Sequence, residues 1–552
     1  MKILLAACNA KYIHSNLAVY QLKAYAKKYK EQLLIKEYTI NQQKDDILRD
    51  IYYSGAQIVC FSCYIWNISF IRELLGELPK ILPGVILWVG GPEVSFDGEN
   101  FLAKNPCVKG VMTGEGEESF LSLARFYLDG KGTLSEIKGI VYREGEEIHC
   151  NEKPAPLDMG SLPFAYEDLK DFKNRILYYE SSRGCPFSCS YCLSSVERSV
   201  RFRPMELVKR ELQFFLDQKV PQVKFVDRTF NCRHSHGMEI WKYIKEHDNG
   251  ITNFHFEISA DLLTEEEMDL METMRPGLIQ LEIGVQSTNP QTLKAIRRKT
   301  DLEKLKKNVD RIHSFGNIHQ HLDLIAGLPY EDYESFRRSF NEVYRMKPQQ
   351  LQLGFLKVLK GSYMMECVQE YGIRCKSMEP YEVLSTNWLS YGEILKLKTV
   401  ESMVEVYYNS GQFKHTLEYL ERFFSDVFGF YEALGDFYER KGYWGISHSR
   451  MRRYEILLEF LTEYREISLS KVKDLMLYDL YLRENLKSRP SFAFSQKPFE
   501  KEVWTWRREK EVPKTAHIEV FRDGRAVLFD YGRRDPLTNN AKTEEVKLNG
   551  NV

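Results

Sequence analysis

The sequence predicts an α/β protein with three parts: a doubly wound, Rossmann-like N-terminal sheet, a six-unit partial barrel of the TIM type and a mostly helical C-terminal domain. Two series of short apolar runs that alternate with amphipathic segments predict the first two parts, because strand–helix alternation builds parallel sheets. After about residue 365, long aromatic-rich and charged helical segments predict the third part. The length of 552 residues agrees, since a domain typically takes about 150 residues.

Composition narrows the class of protein before any motif is considered. Hydrophobic residues make up 43% and charged residues 28%, which is typical of a globular chain. The 77 Lys and Arg against 78 Asp and Glu give a net charge of -1, so no whole-chain field favours nucleic acid or an anionic membrane. The longest apolar runs, such as residues 85–89, are far shorter than the roughly 20 residues that span a bilayer. We therefore expect no membrane partner.

The N-terminus contains Leu5-Ala6-Ala7-Cys8, which looks like a lipoprotein cleavage box. The apolar run before Cys8 is shorter than the roughly 7–15 residues of the hydrophobic region of a signal peptide, so it predicts a buried first strand instead. We therefore expect a cytoplasmic chain whose 11 cysteines are mostly reduced.

The N-terminal domain is predicted over residues 1–135. Its strands are predicted at 2–7, 33–40, 57–63, 85–91 and 108–113, with helices near 17–29, 45–54, 68–82, 95–104 and 117–129. Ligands of such sheets bind at the carboxyl ends of the strands. Those ends here are Ser62-Cys63-Tyr64, Gly90-Gly91-Pro92-Glu93 and Thr113-Gly114-Glu115-Gly116. Glycine lets a ligand approach the backbone closely, so a ligand site is expected at this edge.

Residues 136–170 predict a strand pair, at 139–143 and 146–150, followed by a linker rich in proline and glycine. Residues 171–365 contain the second alternating series. Its strands are predicted at 176–181, 222–227, 253–259, 278–284, 319–325 and 350–358, with helices at 204–218, 264–274, 290–297, 302–315 and 331–345. Six units rather than eight predict a partial barrel, with its chemistry at the C-terminal mouth.

Polar side chains alternate with apolar ones along three of these strands. His255 and Glu257 alternate with apolar residues in one strand, and Glu282 does so in the next. His321 and Asp323 share one face of the following strand with His319. Because strand side chains alternate with a period of two, each polar set lies on one side of its strand. This pattern predicts a polar lumen built around a polar ligand; the alternative is that these charges are paired and only structural.

The remaining segments are predicted to be a helical domain at 366–500 and a hairpin with a tail at 501–552. Helical patterns cover 380–409, 413–439 and 449–484. Two apolar runs, 517–521 and 526–531, flank Asp523-Gly524, which is a strong hairpin signal. The last roughly 20 residues are polar and are expected to be frayed.

Three cysteines lie within eight residues directly after the first barrel strand. Cys185, Cys189 and Cys192 form a C-x3-C-x2-C pattern. Soft thiolates in one tight loop suit a zinc or iron–sulfur centre. Three ligands without a fourth cysteine nearby leave an open coordination position, which is typical of a catalytic site. The alternative is a loop with three unmodified cysteines.

This loop resembles the cluster motif of the radical S-adenosylmethionine (radical SAM) superfamily, and the resemblance extends over roughly residues 176–360. It implies a [4Fe-4S] cluster whose fourth iron binds S-adenosylmethionine, and cleavage of that molecule to a 5'-deoxyadenosyl radical. It also implies an electron donor such as flavodoxin or ferredoxin. Further matching segments are 226–231, Glu257, 283–287 and 323–329.

The resemblance implies which residues contact S-adenosylmethionine. Asp227 and Arg228 correspond to contacts with the methionine moiety, and Glu257 and Gln286 to contacts with the ribose. The segment from Ile325 to Pro329, with Ile325 and Leu328 as the expected contacts, corresponds to the adenine site. The Gly-Gly-Glu type of sequence expected after the second barrel strand is absent, and Asp227-Arg228 is found there instead.

The N-terminal domain resembles the cobalamin-binding domain that often precedes such a barrel. The Asp-x-His-x-x-Gly signature of many cobalamin proteins is missing, because Tyr12 and Leu17 flank His14 where that signature has Asp and Gly. We therefore expect base-off cobalamin without a histidine below the metal. The expected contacts are Ser62, Tyr64, Trp66, Asn67, Gly90, Gly91, Glu93, Gly114, Glu115 and Gly116. The C-terminal region resembles an uncharacterised domain that is found on a subset of these proteins.

The resemblance implies radical chemistry on an unactivated carbon of an unknown small-molecule or macromolecular substrate. Methyl transfer through methylcobalamin is the main expectation, because cobalt can take a methyl cation from S-adenosylmethionine and return it to a substrate radical. The alternatives are a cobalamin-assisted radical rearrangement, a cobalamin-free activity like that of methylthiotransferases, and a non-catalytic cluster and cobalamin sensor.

Overall fold

The N-terminal domain is a seven-stranded sheet with helices on both faces. The computed structural model describes residues 1–548. The elements are β1 (Ile3–Asn9), α1 (Leu17–Tyr25), β2 (Leu33–Thr39), α2 (Lys44–Ser54), β3 (Ile58–Ser62), α3 (Ile68–Ile81), β4 (Ile86–Gly90), α4 (Pro92–Ser95), α5 (Gly98–Lys104), β5 (Val108–Met112), α6 (Gly116–Asp129), β6 (Ile140–Glu144) and β7 (Glu147–Cys150). The strand order is β2-β1-β3-β4-β5-β6-β7. The predicted strand pair is β6–β7, which extends the sheet antiparallel to β5.

Apolar spacing explains why the helices cover this sheet. In α3 the buried residues Ile68, Ile71, Leu74, Leu75 and Leu78 recur every three or four positions and so form one face. Strand β1 is buried along its whole length, as expected for a central strand covered on both sides. Separate apolar cores lie on the two faces of the sheet, so the carboxyl edge of the strands is the part that remains open to a ligand.

The second domain is a six-stranded parallel sheet with its helices outside, as predicted. Its elements are β8 (Leu177–Tyr179), β9 (Ser182–Arg183), β10 (Arg201–Phe202), α7 (Met205–Asp217), β11 (Gln222–Phe225), α8 (His234–Glu246), β12 (Asn253–Ile258), α9 (Glu265–Glu272), β13 (Ile279–Gln286), α10 (Pro290–Ala295), α11 (Leu302–Phe315), β14 (His319–Ala326), α12 (Tyr333–Arg345), β15 (Gln350–Phe355) and α13 (Tyr363–Glu366). The order is β15-β14-β13-β12-β11-β8. Every pairing within this sheet is parallel.

Strand register brings the predicted polar faces together. Lys224 of β11 is opposite His255 of β12. Glu257 is opposite Glu282, and Glu282 is opposite His321. Because residues in register point to the same side of a sheet, these side chains form one continuous polar surface on the inner face of the partial barrel.

The C-terminal region begins with a strand pair and continues as a helical domain. Its elements are β16 (Arg374–Cys375), β17 (Val383–Ser385), α14 (Tyr391–Met403), α15 (Lys414–Leu420), α16 (Val427–Arg440), α17 (Arg450–Leu461), α18 (Leu469–Arg483), α19 (Glu500–Glu509), β18 (His517–Val520), β19 (Ala526–Arg534) and β20 (Ala541–Val546). The barrel and this domain share one apolar core. Within residues 1–548, no helix is both long and apolar enough to cross a membrane.

Two predictions for the C-terminal region are wrong in detail. The helix predicted from residue 380 begins at Tyr391, where Ser390 accepts a hydrogen bond from the backbone of Glu393 and caps it. The tail predicted to be frayed contains β20, which pairs with β19 and makes the hairpin a three-stranded sheet. Polar composition hid this strand, because only its two end residues are buried. Residues 549–552 of the predicted tail lie outside the described part of the chain.

Candidate functional site

The cysteine loop begins where β9 ends at the mouth of the barrel. Gly184 has a φ of +98°, and a Cβ there would lie 2.3 Å from the carbonyl oxygen of Ser199, so this turn requires glycine. The amide of Cys185 donates to the carbonyl of Glu197 at 3.0 Å, and the amide of Cys192 to that of Cys189 at 3.2 Å. Backbone hydrogen bonds therefore hold the loop that presents the three thiols.

The thiol groups occupy a partly enclosed site with a positive neighbour. Cys185 and Cys189 are each 8% exposed, Cys192 is half-buried, and all three are free thiols. Burial raises the pKa of Cys189, and the guanidinium of Arg298, with Nη1 3.9 Å from the sulfur, opposes that rise. Soft donors, one open side and a cation that stabilises thiolate charge fit an iron–sulfur cluster.

Asp227 lies beneath this loop and is fully buried. Its carboxylate accepts hydrogen bonds from the amide of Ser181 at 2.9 Å and from the hydroxyls of Ser181 and Ser182 at 2.6 Å each. Burial raises the pKa of Asp227 to about 6. The carboxylate thus ties the chain that enters the cysteine loop to the end of β11. Arg228, the next residue, is exposed at the mouth.

The two residues predicted at the ribose are placed differently. Gln286 ends β13 in a left-handed conformation with a φ of +73°, which is uncommon for this residue type. Its side chain is buried, and its Oε1 has no hydrogen-bond partner within residues 1–548. Because buried polar atoms normally have partners, this oxygen is available to accept a hydrogen bond from a ligand. Glu257 is half-buried in the lumen, 3.7 Å from the ammonium of Lys224. Burial raises the pKa of Glu257 to about 7.

The segment predicted at the adenine lies under the C-terminal region. Ile325 is half-buried and Leu328 is fully buried in the core. Gly327 has a φ of +88°, and a Cβ there would approach Val383 of β17 to 2.7 Å. The backbone turn and Ile325 therefore remain candidates for the contact, whereas the Leu328 side chain serves packing.

The first loop at the ligand edge of the N-terminal sheet is held by the buried side chain of Asn67. This amide donates to the carbonyls of Cys8 at 2.9 Å and Ser62 at 3.0 Å, and it accepts from the amide of Tyr64 at 2.7 Å. Tyr64 and Trp66 stack with their ring centroids 4.3 Å apart. The indole of Trp66 is 48% exposed, so the loop presents a flat aromatic surface at this edge.

The predicted carboxylates at this edge join the domains to one another. Glu93 is buried and accepts from the hydroxyl of Tyr381 at 2.6 Å, while the ammonium of Lys360 lies 2.9 Å away. Glu115 pairs with Arg201 and accepts from the amide of Leu157 at 2.9 Å. The same edge also contains four glycines, which have no side chain to form a contact between domains. They are Gly90, Gly91, Gly114 and Gly116. Sequence reasoning missed these partners of Glu93 and Glu115, which carry no local motif.

Arg183 joins the cysteine loop to the N-terminal domain. Its guanidinium lies 2.8 Å from Glu117, 3.6 Å from Glu115 and 2.7 Å from Glu180. Arg183 is two residues before Cys185, and Glu115 and Glu117 follow β5. The ligand edge of the N-terminal sheet therefore adjoins the mouth of the barrel.

His14 lies at a second junction of these two domains. The Nδ1 of His14 is hydrogen-bonded to the hydroxyl of Tyr178 at 2.7 Å, and the amide of Ile176 donates to the carbonyl of Ile13 at 2.7 Å. Burial and the nearby charges of Lys11 and Lys224 lower the pKa of His14. Its ring is thus engaged with the barrel.

A doubly wound sheet beside a partial barrel with three thiols at its mouth fits the arrangement expected of a radical SAM protein that has a cobalamin-binding domain. Comparison with known families agrees: residues 3–124 match the B12 binding domain and residues 179–343 match the radical SAM superfamily. Residues 369–531 match a protein family of unknown function, DUF4080. Three consecutive regions of the chain thus match a B12 binding domain, the radical SAM superfamily and DUF4080, in the order that the sequence predicted.

The curated relatives match a little more than half of the chain. The cobalamin-dependent radical SAM methyltransferase TokK of Streptomyces tokunonensis is 26% identical over 343 residues, which are 57% of this chain and 49% of TokK. The hopanoid C-3 methylase of Methylococcus capsulatus is 27% identical over 304 residues, which are 53% of this chain and 57% of the methylase. The chain thus spans about half the length of the curated relatives it matches.

Solved structures share the fold of the chain. OxsB, a cobalamin-dependent S-adenosylmethionine radical enzyme solved with aqua-cobalamin and S-adenosylmethionine, gives a TM-score of 0.61 at 15% identity over 93% of this chain and 82% of OxsB. TsrM from Kitasatospora setae, a methyltransferase solved with cobalamin and a [4Fe-4S] cluster, gives 0.56 at 16% identity over 68% of this chain and 78% of TsrM. The predicted fold class is therefore confirmed.

Proposed function

We propose that the chain is a cobalamin-dependent radical SAM enzyme that transfers a methyl group to an unactivated carbon. One observation carries this proposal: Arg183 holds the ligand edge of the B12-binding domain, through Glu115 and Glu117, against the loop of Cys185, Cys189 and Cys192. A cobalamin at that edge and a cluster in that loop would share one reaction space. The named methyltransferases among the relatives support the same reaction.

In this proposal the residues of the chain bind and orient three groups. The three cysteines hold a [4Fe-4S] cluster, and Arg228, Glu257, Gln286 and Ile325 contact S-adenosylmethionine. Asp227 holds the strand that leads into the cysteine loop, and Arg298 offsets thiolate charge. The edge loops 62–67, 90–93 and 114–116 cradle cobalamin. When bound, these groups supply reductive cleavage of S-adenosylmethionine and methyl transfer at cobalt. Flavodoxin or ferredoxin is the proposed electron donor.

A labelled methyl group tests this proposal without knowledge of the substrate. The reconstituted protein is incubated anaerobically with reductant, cobalamin and S-adenosylmethionine that carries a deuterated methyl group. We expect the label on cobalamin, with S-adenosylhomocysteine as the co-product, measured by mass spectrometry. Formation of 5'-deoxyadenosine with no labelled cobalamin would contradict methyl transfer.

One of the relatives suggests a second function, in which 5'-deoxyadenosine forms but no methyl group is transferred. The anaerobic magnesium-protoporphyrin IX monomethyl ester cyclase of Synechocystis is 25% identical over 273 residues, and its name describes a ring closure rather than a methylation. A radical reaction that leaves the methyl group of S-adenosylmethionine unused is therefore the second candidate function. The two functions differ in the fate of the label, so the same experiment separates them.

The proposed binding mode predicts base-off cobalamin without a histidine below cobalt. In Asp-x-His-x-x-Gly proteins a histidine ligates the metal, whereas here Tyr12 and Leu17 replace the Asp and Gly of that signature around His14, and the His14 ring contacts Tyr178 of the barrel. We expect the electron paramagnetic resonance spectrum of the Co(II) form to lack nitrogen superhyperfine splitting, in the unmodified protein and in His14→Ala alike. A splitting that disappears in His14→Ala would refute this prediction.

A further inference from the structure

Inside the barrel, four titratable side chains from three adjacent strands lie close together, in two pairs whose donor atoms are 3.0 and 3.1 Å apart. They are His255 of β12, Glu282 of β13, and His321 and Asp323 of β14. We propose that they form a binding site for one divalent transition-metal ion, separate from the cysteine loop and from the contacts assigned to S-adenosylmethionine.

Donor atoms of three of these residues lie close enough to one another to share an ion, and Nε2 of His255 lies beside a carboxylate oxygen of one of them, Glu282. One donor atom each from Glu282, His321 and Asp323 lies within 4.8 Å of the others. The Nε2 of His255 is 3.1 Å from Oε2 of Glu282, and the Nε2 of His321 is 3.0 Å from Oδ1 of Asp323. Metal bonds of about 2.1 Å place neighbouring ligand atoms about 3.0–3.4 Å apart in octahedral or tetrahedral geometry. Both close pairs therefore match the edge of a coordination polyhedron.

Unlike the atoms of most buried ion pairs, several polar atoms of this group have no hydrogen-bond partner with acceptable geometry in the described part of the chain. His255 and His321 are each only 7% exposed. Nevertheless, within residues 1–548, the Nε2 atoms of both histidines and Oδ1 of Asp323 have no hydrogen-bond partner. Buried polar atoms without partners cost free energy, so native structures rarely keep them without a reason. A cation among them would satisfy all three atoms at once.

The ammonium of Lys224 would compete with a metal ion for the carboxylate of Glu282. Its ammonium lies 2.8 Å from Oε2 of Glu282 and 3.7 Å from Oε1 of Glu257, so it already supplies one positive charge. A divalent ion bound to Glu282 must share that carboxylate with the ammonium or displace it. Removal of the lysine charge should therefore strengthen metal binding.

The ligand types indicate the class of ion. Two imidazoles and two carboxylates suit zinc, iron or manganese in the divalent state better than magnesium or calcium, which prefer oxygen alone. The site lies on rigid strands rather than on a loop, and strand register fixes its members. In the lumen of the barrel, such an ion would face a substrate that carries a carboxylate, phosphate or hydroxyl group.

Zinc titration of the full-length chain tests the site independently of catalysis. All experiments use a background in which Cys185, Cys189 and Cys192 are alanine, so that no metal binds in the cysteine loop. Isothermal titration calorimetry with Zn²⁺ alone should show one site per chain. His321→Ala and Asp323→Asn should each weaken it by about tenfold or more, and Lys224→Met should strengthen it.

A histidine–carboxylate pair outside the lumen provides the control. His234 on α8 is exposed and lies 3.2 Å from Glu267, so His234→Ala should leave zinc affinity unchanged. Thermal unfolding of each variant checks that it is folded, and the gain in affinity of Lys224→Met does not depend on a variant that loses a ligand. Absence of zinc binding, equal affinity in all variants, or weaker binding in Lys224→Met would overturn the proposal.

Discussion

Replacement of Cys185, Cys189 or Cys192 by alanine should abolish cleavage of S-adenosylmethionine. Each thiolate supplies one ligand to a single cluster in the proposed mechanism, so the loss of any one leaves it incompletely held. The broad visible absorption of the reconstituted protein should fall by most of its amplitude. Anaerobic reconstitution followed by iron analysis and a 5'-deoxyadenosine assay measures both effects.

Cys232 is the matched control for these three variants. It is a half-buried cysteine near Cys185, but it lies outside the C-x3-C-x2-C pattern. Cys232→Ala should keep cluster content and cleavage. If Cys232→Ala lost the cluster as well, the centre would have a fourth protein ligand and no open position for S-adenosylmethionine. A triple alanine variant that still cleaves S-adenosylmethionine would refute the cluster assignment.

Local periodicity predicted much of the fold. Strand–helix alternation gave the N-terminal sheet and the six barrel strands, because each element leaves its own apolar pattern in the sequence. The period of two also places His321 and Asp323 on one face of β14 independently of the register of β14 against β13. The cysteine loop was predicted because its three cysteines are close together in the chain.

Contacts between distant segments were not predictable in this way. The hydrogen bond from Tyr381 to Glu93 joins residues 288 positions apart, and Arg183 meets Glu117 across 66 positions. Neither contact leaves a repeating pattern in the sequence, since each depends on how whole domains pack. For the same reason Glu93 and Glu115 were predicted only as ligand contacts, although their carboxylates also hold the domains together.

The C-terminal domain shows a similar limit for aromatic residues. Tyr407 is fully buried and its hydroxyl is hydrogen-bonded to that of Tyr438, so it belongs to the core of that domain. Tyr381, by contrast, reaches the ligand edge of the B12-binding domain. Aromatic composition alone gives no reason to distinguish the two residues, because it does not tell which of them contacts another domain.

Gly91→Ala should remove cobalamin binding while the barrel still assembles its cluster. Gly91 has a φ of +113°, and a Cβ there would lie 2.4 Å from the carbonyl oxygen of Cys63, which is backbone and cannot rotate away. The substitution therefore forces apart the loops after β3 and β4, which are the proposed cradle. We expect cobalamin retention after reconstitution and gel filtration to fall about tenfold or more, and stability to fall by several kcal/mol.

Gly84→Ala is the control for Gly91→Ala, because it places alanine at a positive φ without a steric clash. Gly84 is in the same domain and has a φ of +85°, but a Cβ there would meet nothing within 4 Å in the described part of the chain. Alanine at a positive φ costs about 1–2 kcal/mol, so Gly84→Ala should be modestly destabilised and should retain cobalamin.

Iron content provides the internal check, because the barrel and the C-terminal domain have their own core and should keep the cluster in both variants. If Gly91→Ala retained as much cobalamin as Gly84→Ala, the loops after β3 and β4 would not form the cradle, and the B12-binding domain would hold its ligand elsewhere.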